Sequence, residues 1–196
     1  MGFLRANRLQ PDRCVILMID MQEKLLPAIL GSAEIIRAAR HLLNGASIFK
    51  VPAVATEQYP KGIGPTHATI GEALTPLRAK VFEKSVFSVC GDEPTRAALR
   101  QLDRSQVVVA GVETHVCVQQ TTLDLRAMDY DVFVCADAVG SRGSLDHTTG
   151  LERMRQAGAF ITTVESVLFE LCHECGTDQF KAMLEIIKAN TDSYRF

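Results

Sequence analysis

The chain has 196 residues, enough for one ordinary domain with a full hydrophobic core. Apolar residues make up 47% and charged residues 22%, which argues against disorder. A formal net charge of −2 supplies neither a nucleic-acid footprint nor a polybasic membrane patch.

The apolar stretches are short, so no bilayer span is predicted. Met1 to Arg8 lacks the apolar centre of a secretory signal. Gly2 stands where myristoylation needs it, but Ala6 replaces the hydroxyl residue of that motif. The six Cys are not needed as staples in a chain this large and apolar, and a reducing cytoplasm is predicted. No repeat, low-complexity stretch or linker divides the sequence, so residues 1–196 read as a single domain.

The first predicted element is a strand, Cys14 to Ile19, a continuous apolar run of the kind covered on both faces. Ser32 is placed to cap a helix whose buried side carries Ile35, Ile36, Ala39, Leu42 and Leu43, with Asn44-Gly45 as its stop. Val51 to Thr56 reads as the second strand. Lys61-Gly62-Ile63-Gly64-Pro65 reads as a loop. Lys80 to Lys84 is the third strand. Asp92-Glu93-Pro94 opens a helix that runs to about Leu102. Gln106 to Gly111 is the fourth strand, followed by a helix from Thr114 to Met128. Val132 to Ala136 and Phe160 to Thr163 complete the strands. Helices from about Ser144 to Ala157 and from about Asp178 to Ala189 cover the remainder. Apolar strands alternating with helices predict an α/β fold: a three-layer α/β/α sandwich on a six-stranded, mostly parallel, Rossmann-like sheet.

In such sheets ligands bind outside the carboxyl ends of the strands. Asp20, Thr56-Glu57-Gln58, Lys84 and Gly111-Val112-Glu113 all fall at such ends. Cys117 lies just beyond the fourth strand, at a strand-to-helix turn where free N–H groups and the helix dipole favour a thiolate. If Asp20, Lys84 and Cys117 converge, Lys84 lowers the thiol pKa and Asp20 takes the thiol proton and returns it to a leaving amine. The N–H of Cys117 would face a developing oxyanion. That chemistry is acyl transfer to water from an amide-like substrate. Taken singly, the Asp is a turn residue, the Lys a rim charge and the Cys packing; their shared rim position is what favours function.

Three segments carry a resemblance to a known family: Val15-Ile16-Leu17-Met18-Ile19-Asp20-Met21-Gln22, Phe82-Glu83-Lys84-Ser85-Val86-Phe87-Ser88, and Gly111-Val112-Glu113-Thr114-His115-Val116-Cys117-Val118-Gln119-Gln120-Thr121. In this order they resemble the isochorismatase-like cysteine hydrolases. Thr56 to Gly62 and Met154 to Ala159 are most similar to the isochorismatase domain-containing branch. The resemblance implies a triad of Asp20, Lys84 and Cys117, and an oxyanion hole from the backbone N–H groups of Glu113 and Cys117. It also implies a cis Val112–Glu113 peptide that turns the Glu113 N–H inward, and a homo-oligomer acting on a small molecule. Isochorismatases proper cleave a vinyl ether and lack the nucleophile, so Cys117 points away from that reaction. Nicotinamidases hold a metal through an Asp and His cluster; here Gln58 and Pro60 occupy the key positions and His67 alone cannot rebuild it, so no metal and no cofactor are expected. The rival readings are a catalytically weak binding or scaffolding protein and a nicotinamidase-type amidase.

Gln22, Tyr59 and Phe87 are predicted pocket walls because each adjoins a rim segment, although packing is the default for Phe87. His115 fits either a pocket-facing position or the surface of the first helical turn. Gln119 fits either the site or solvent, and Glu83 an ion pair or the surface. Asp146 and His147 are read as helix starters. Cys172-His173-Glu174-Cys175 has CxxC spacing without a second pair, and is read as a helix end with two incidental thiols.

Overall fold

The computed structural model describes residues 8–191. Six strands form one sheet: β1 (Cys14–Ile19), β2 (Ala53–Gln58), β3 (Lys80–Lys84), β4 (Gln106–Val112), β5 (Asp131–Gly140) and β6 (Phe160–Thr162). Their order is β3-β2-β1-β4-β5-β6, and every pairing is parallel. Among the described residues eight α-helices flank the sheet: α1 (Ser32–Ile48), α2 (Pro60–Ile63), α3 (Ala68–Leu74), α4 (Glu93–Gln101), α5 (Gln119–Ala127), α6 (Ser144–Gln156), α7 (Val164–Cys172) and α8 (Asp178–Thr191).

Strand periodicity divides the core in two. Cys14, Ile16 and Met18 of β1 face the layer of α1, α3, α7 and α8, whereas Val15, Leu17 and Ile19 face α4, α5 and α6. Both faces are therefore dry, which is why β1 and β4 read as unbroken apolar runs. Burial of each such side chain stabilises the fold by about 1.5–3 kcal/mol. Cys14 and Cys135 are fully buried packing residues.

Several boundaries differ from the sequence reading. Ser32 is the first helical residue rather than the cap; Gly31 takes the cap position at φ 67°. Asn44-Gly45 does not stop α1, which continues to Ile48. Gly45 instead marks the crossing with α7, where a Cβ would lie 2.1 Å from Leu168 Cδ2. The second strand starts two residues later than predicted, at Ala53 after Pro52. The predicted 61–65 loop contains the short helix α2, and α3 has no counterpart in the sequence reading. The helix predicted from Thr114 begins as a π-turn, Thr114–Val118, and becomes α-helical only at Gln119. Strand β5 extends to Gly140 past an irregularity in its pairing with β4.

One glycine sets the spacing on which the site depends. Gly111 pairs with Ile19 and has φ 125°; a Cβ there would sit 2.0 Å from the Ile19 carbonyl oxygen. Any side chain would drive the end of β4 away from the end of β1. Gly111→Ala is therefore expected to destabilise the protein by at least about 3 kcal/mol. Gly71→Ala on α3, where no atom lies within 4 Å of the new methyl, should stabilise it by about 0.5–1 kcal/mol. Denaturant melts of the two variants check both signs.

Candidate active site

Three strand ends deliver the site. Asp20 follows β1 in a left-handed conformation (φ 51°) that an Asp tolerates better than most residues. Its N–H donates to Thr56 O at 3.1 Å, so the end of β2 sets the turn. Lys84 closes β3, in register with Gln58. Cys117 sits in the π-turn after β4, where the N–H groups of Val116 and Val118 both donate to Glu113 O.

The three side chains meet. Lys84 Nζ lies 2.7 Å from Asp20 Oδ2 and 3.7 Å from Cys117 Sγ. Both partners of the ion pair have fully buried side chains, and Cys117 is 7% exposed. Thr56 Oγ1 donates to Asp20 Oδ1 at 2.7 Å. Lys84 also donates to Gln58 Oε1 (2.6 Å) and to the carbonyls of Val86 (3.2 Å) and Phe87 (3.3 Å). The sequence reading had placed Thr56 and Gln58 at the rim without a role. The two carbonyls were not legible, because residue letters carry no backbone direction.

The thiol departs from expectation. Burial pushes the Cys117 pKa up, the Asp20 carboxylate adds to this, and Lys84 only partly opposes it; the result is about 12. The predicted lowering by Lys84 is thus present but outweighed. The resting sulfur is a neutral thiol beside a carboxylate able to take its proton. The buried core thiol Cys14 is pushed up to about 12 as well, so pKa does not single out Cys117; proximity to Asp20 and Lys84 does.

The remaining candidates sort by geometry. Gln22, predicted as a pocket wall, is fully buried, and its amide is committed to backbone. Its Nε2 donates to the carbonyls of Gln58 (3.1 Å) and Gly64 (2.6 Å), and its Oε1 accepts from the Gln58 N–H (2.7 Å). It is a clasp between rim segments rather than a surface offered to a ligand. Tyr59 and Phe87, whose backbones bond Lys84, have side chains exposed at 60% and 53%; Phe87 is not packing. His115 is half-buried and its Nδ1 bonds Ser141 Oγ at 3.0 Å, which ties the Cys117 turn to the end of β5. The next tie is Thr114 Oγ1 with His147 Nδ1, at 2.9 Å. Glu113 takes Arg142 on its carboxylate, through the backbone N–H at 3.0 Å and Nε at 3.1 Å. Arg142 went unnoticed in the sequence because only the extension of β5 brings it to the rim. Gln119 is buried at the start of α5; Glu83 is exposed, with no ion pair among the described residues. The Val112–Glu113 peptide is cis. Cys172 ends α7 and Cys175 is exposed beyond it. Among the described residues no group of three or more His, Cys, Asp or Glu is arranged to hold a metal ion.

The isochorismatase domain profile matches residues 14–166, which span β1 to α7 and contain all three converging residues. The chain belongs to the isochorismatase family. A curated family member, the secreted isochorismatase effector Isc1 of Phytophthora sojae, is 38% identical over 186 residues, covering 94% of this chain and 89% of that protein. The MAR1 ribonuclease of Caenorhabditis elegans has the same fold, with a TM-score of 0.88, 37% identity and 93% coverage of both chains. YcaC of Pseudomonas aeruginosa, solved with hexane-2,5-diol and covalent acrylamide, gives a TM-score of 0.88 at 26% identity and 98% coverage of both.

Two outcomes follow for this isochorismatase-family site. Lys84→Met strands the buried Asp20 charge and should cost about 3–5 kcal/mol, whereas Asp20→Asn combined with Lys84→Met should recover at least about half of that loss in urea melts. The alkylation rate of Cys117 should still be climbing at pH 9, the ordinary thiol midpoint, because the folded thiol titrates near 12. A plateau near neutral pH would contradict the buried-thiol picture.

Proposed function

We propose that this isochorismatase-family chain is a metal-independent cysteine hydrolase cleaving the C–N bond of a small amide-like or related acyl substrate. The observation that carries the reading is one ammonium, Lys84 Nζ, in contact with both the Asp20 carboxylate and the Cys117 sulfur. Cys117 Sγ attacks the carbonyl carbon as its proton passes to Asp20. The carbonyl oxygen becomes an oxyanion facing the backbone N–H groups of Glu113 and Cys117. Asp20 then gives the proton to the departing nitrogen, and a thioester remains. Water attacks the thioester with Asp20 as base, the acid leaves, and the proton returns to sulfur. Lys84 keeps a positive charge beside whichever partner is anionic.

Gln58 and Pro60, at the positions where a nicotinamidase-type metal site needs ligands, support a metal-independent route, and the Gln58 amide is already engaged by Lys84. A ribonuclease activity is not carried over from the nematode relative. The net charge is −2, and the two cations nearest the sulfur turn, Lys84 and Arg142, are each held by a carboxylate. The reading includes a reducing, cytoplasmic setting, supported by six free cysteines, and, as the family resemblance implies, a homo-oligomer. No helix among the described residues is long and apolar enough to cross a membrane. The second reading, a binding protein with little turnover, draws its support from the near-closure of the trio and the protonated thiol.

A screen of small amides and ureido compounds separates the two. Hydrolysis should fall by about a thousandfold or more in Cys117→Ser and Cys117→Ala, with an acyl adduct on Cys117 in the wild type. Full activity in Cys117→Ala contradicts the cysteine mechanism, and a wild type inert across the screen favours the binding reading.

A further inference from the structure

We infer that the site admits uncharged amides and excludes substrates bearing an anionic group near the reacting carbonyl. The inference rests on the location of the site at Cys117 and extends the hydrolase reading to a substrate class. Lys84 has three N–H bonds to give, and four oxygens already lie within reach: Asp20 Oδ2 at 2.7 Å, Gln58 Oε1 at 2.6 Å, Val86 O at 3.2 Å and Phe87 O at 3.3 Å. No donor is left for a substrate carboxylate or phosphate. Gln58 makes the shortest of these contacts. Its own Nε2 is tied to Ser85 O at 3.0 Å, and its backbone is clasped by Gln22 on both sides, so its oxygen is fixed on the ammonium.

The second cation near this rim, Arg142, gives its backbone N–H and its Nε to the Glu113 carboxylate, and the rest of its side chain, 64% exposed, is screened by water and salt. The buried Asp20 and Lys84 charges cancel, so an arriving anion meets no buried cation with a donor to spare. Two other lysines of the rim, Lys24 and Lys61, are exposed, Lys24 Nζ resting on Gly62 O at 3.3 Å; water and salt screen them. The residues whose backbones bond Lys84 present apolar side chains to solvent: Tyr59, Val86 and Phe87, at 60%, 41% and 53% exposure. Those side chains suit an acyl group with an alkyl or aromatic body, as a complement to the neutral carboxamide.

A pair of matched electrophiles tests this without needing a substrate. The native protein is treated separately with iodoacetamide and iodoacetate at about pH 8, and modification of Cys117 and of the exposed Cys175 is followed by mass spectrometry. The iodoacetamide-to-iodoacetate rate ratio at Cys117 should exceed that at Cys175 by about tenfold or more. Gln58→Leu, which leaves Lys84 only the long contacts to Val86 O and Phe87 O besides Asp20, should shrink the excess by favouring iodoacetate. An equal or reversed ratio in the wild type overturns the inference. Because alkylation requires no turnover, an inactive amide screen with the ratio intact sinks the hydrolase reading and leaves this one standing.

Discussion

The structure is organised around a pair of opposite charges with no water of its own. The side chains of Asp20 and Lys84 are both at 0% exposure, 2.7 Å apart. Either charge alone in that place would cost several kcal/mol, and their mutual attraction offsets this only if the remaining hydrogen-bonding capacity is also met. It is met. Thr56 takes the second oxygen of Asp20, and Gln58 with two carbonyls takes the other protons of Lys84. Each partner depends on strand register: Ile19 lies against Thr56 on one side and Gly111 on the other, and Gln58 lies against Lys84. A parallel sheet with its strand ends level is therefore a precondition of the chemistry.

The same constraint shapes the sulfur. A thiol near a free lysine in water would ionise more easily, but here the lysine is already paired and the pair is dry. Burial acts on Cys117 in the opposite direction, and the carboxylate adds to it. Together they keep the proton on sulfur in the resting protein. Such an arrangement limits off-target oxidation and alkylation, which follow the thiolate. It also places the burden of specificity on the walls, because the charges of the site are mutually consumed.

The sheet was legible because its signals are local and strong. Cys14 to Ile19 and Val107 to Gly111 are apolar throughout, as strands covered on both faces are, and Lys80 to Lys84 was recovered with its observed ends. Asp20 and Cys117 stood out because each follows such a strand, and Lys84 because it ends one. Helix ends were less legible. Gly45 has the letter of a stop signal but serves close packing against Leu168, a partner over a hundred positions away that no local window contains. The electrostatic outcome at Cys117 was likewise hidden, since it depends on how deeply three distant residues are buried together. Gln22 illustrates the same gap: its rim position was readable, but its use as a backbone clasp required the loop geometry.

The account stands or falls on whether the Asp20 carboxylate, second to burial, helps hold the proton on Cys117 in the resting protein. The rate at which iodoacetamide modifies Cys117 near neutral pH, wild type against Asp20→Asn, reads this directly. Removing the carboxylate charge leaves Lys84 beside the sulfur unopposed, so the substitution should accelerate labelling severalfold while hydrolysis is lost. Labelling that stays the same or slows in Asp20→Asn would mean that the carboxylate does not govern the thiol.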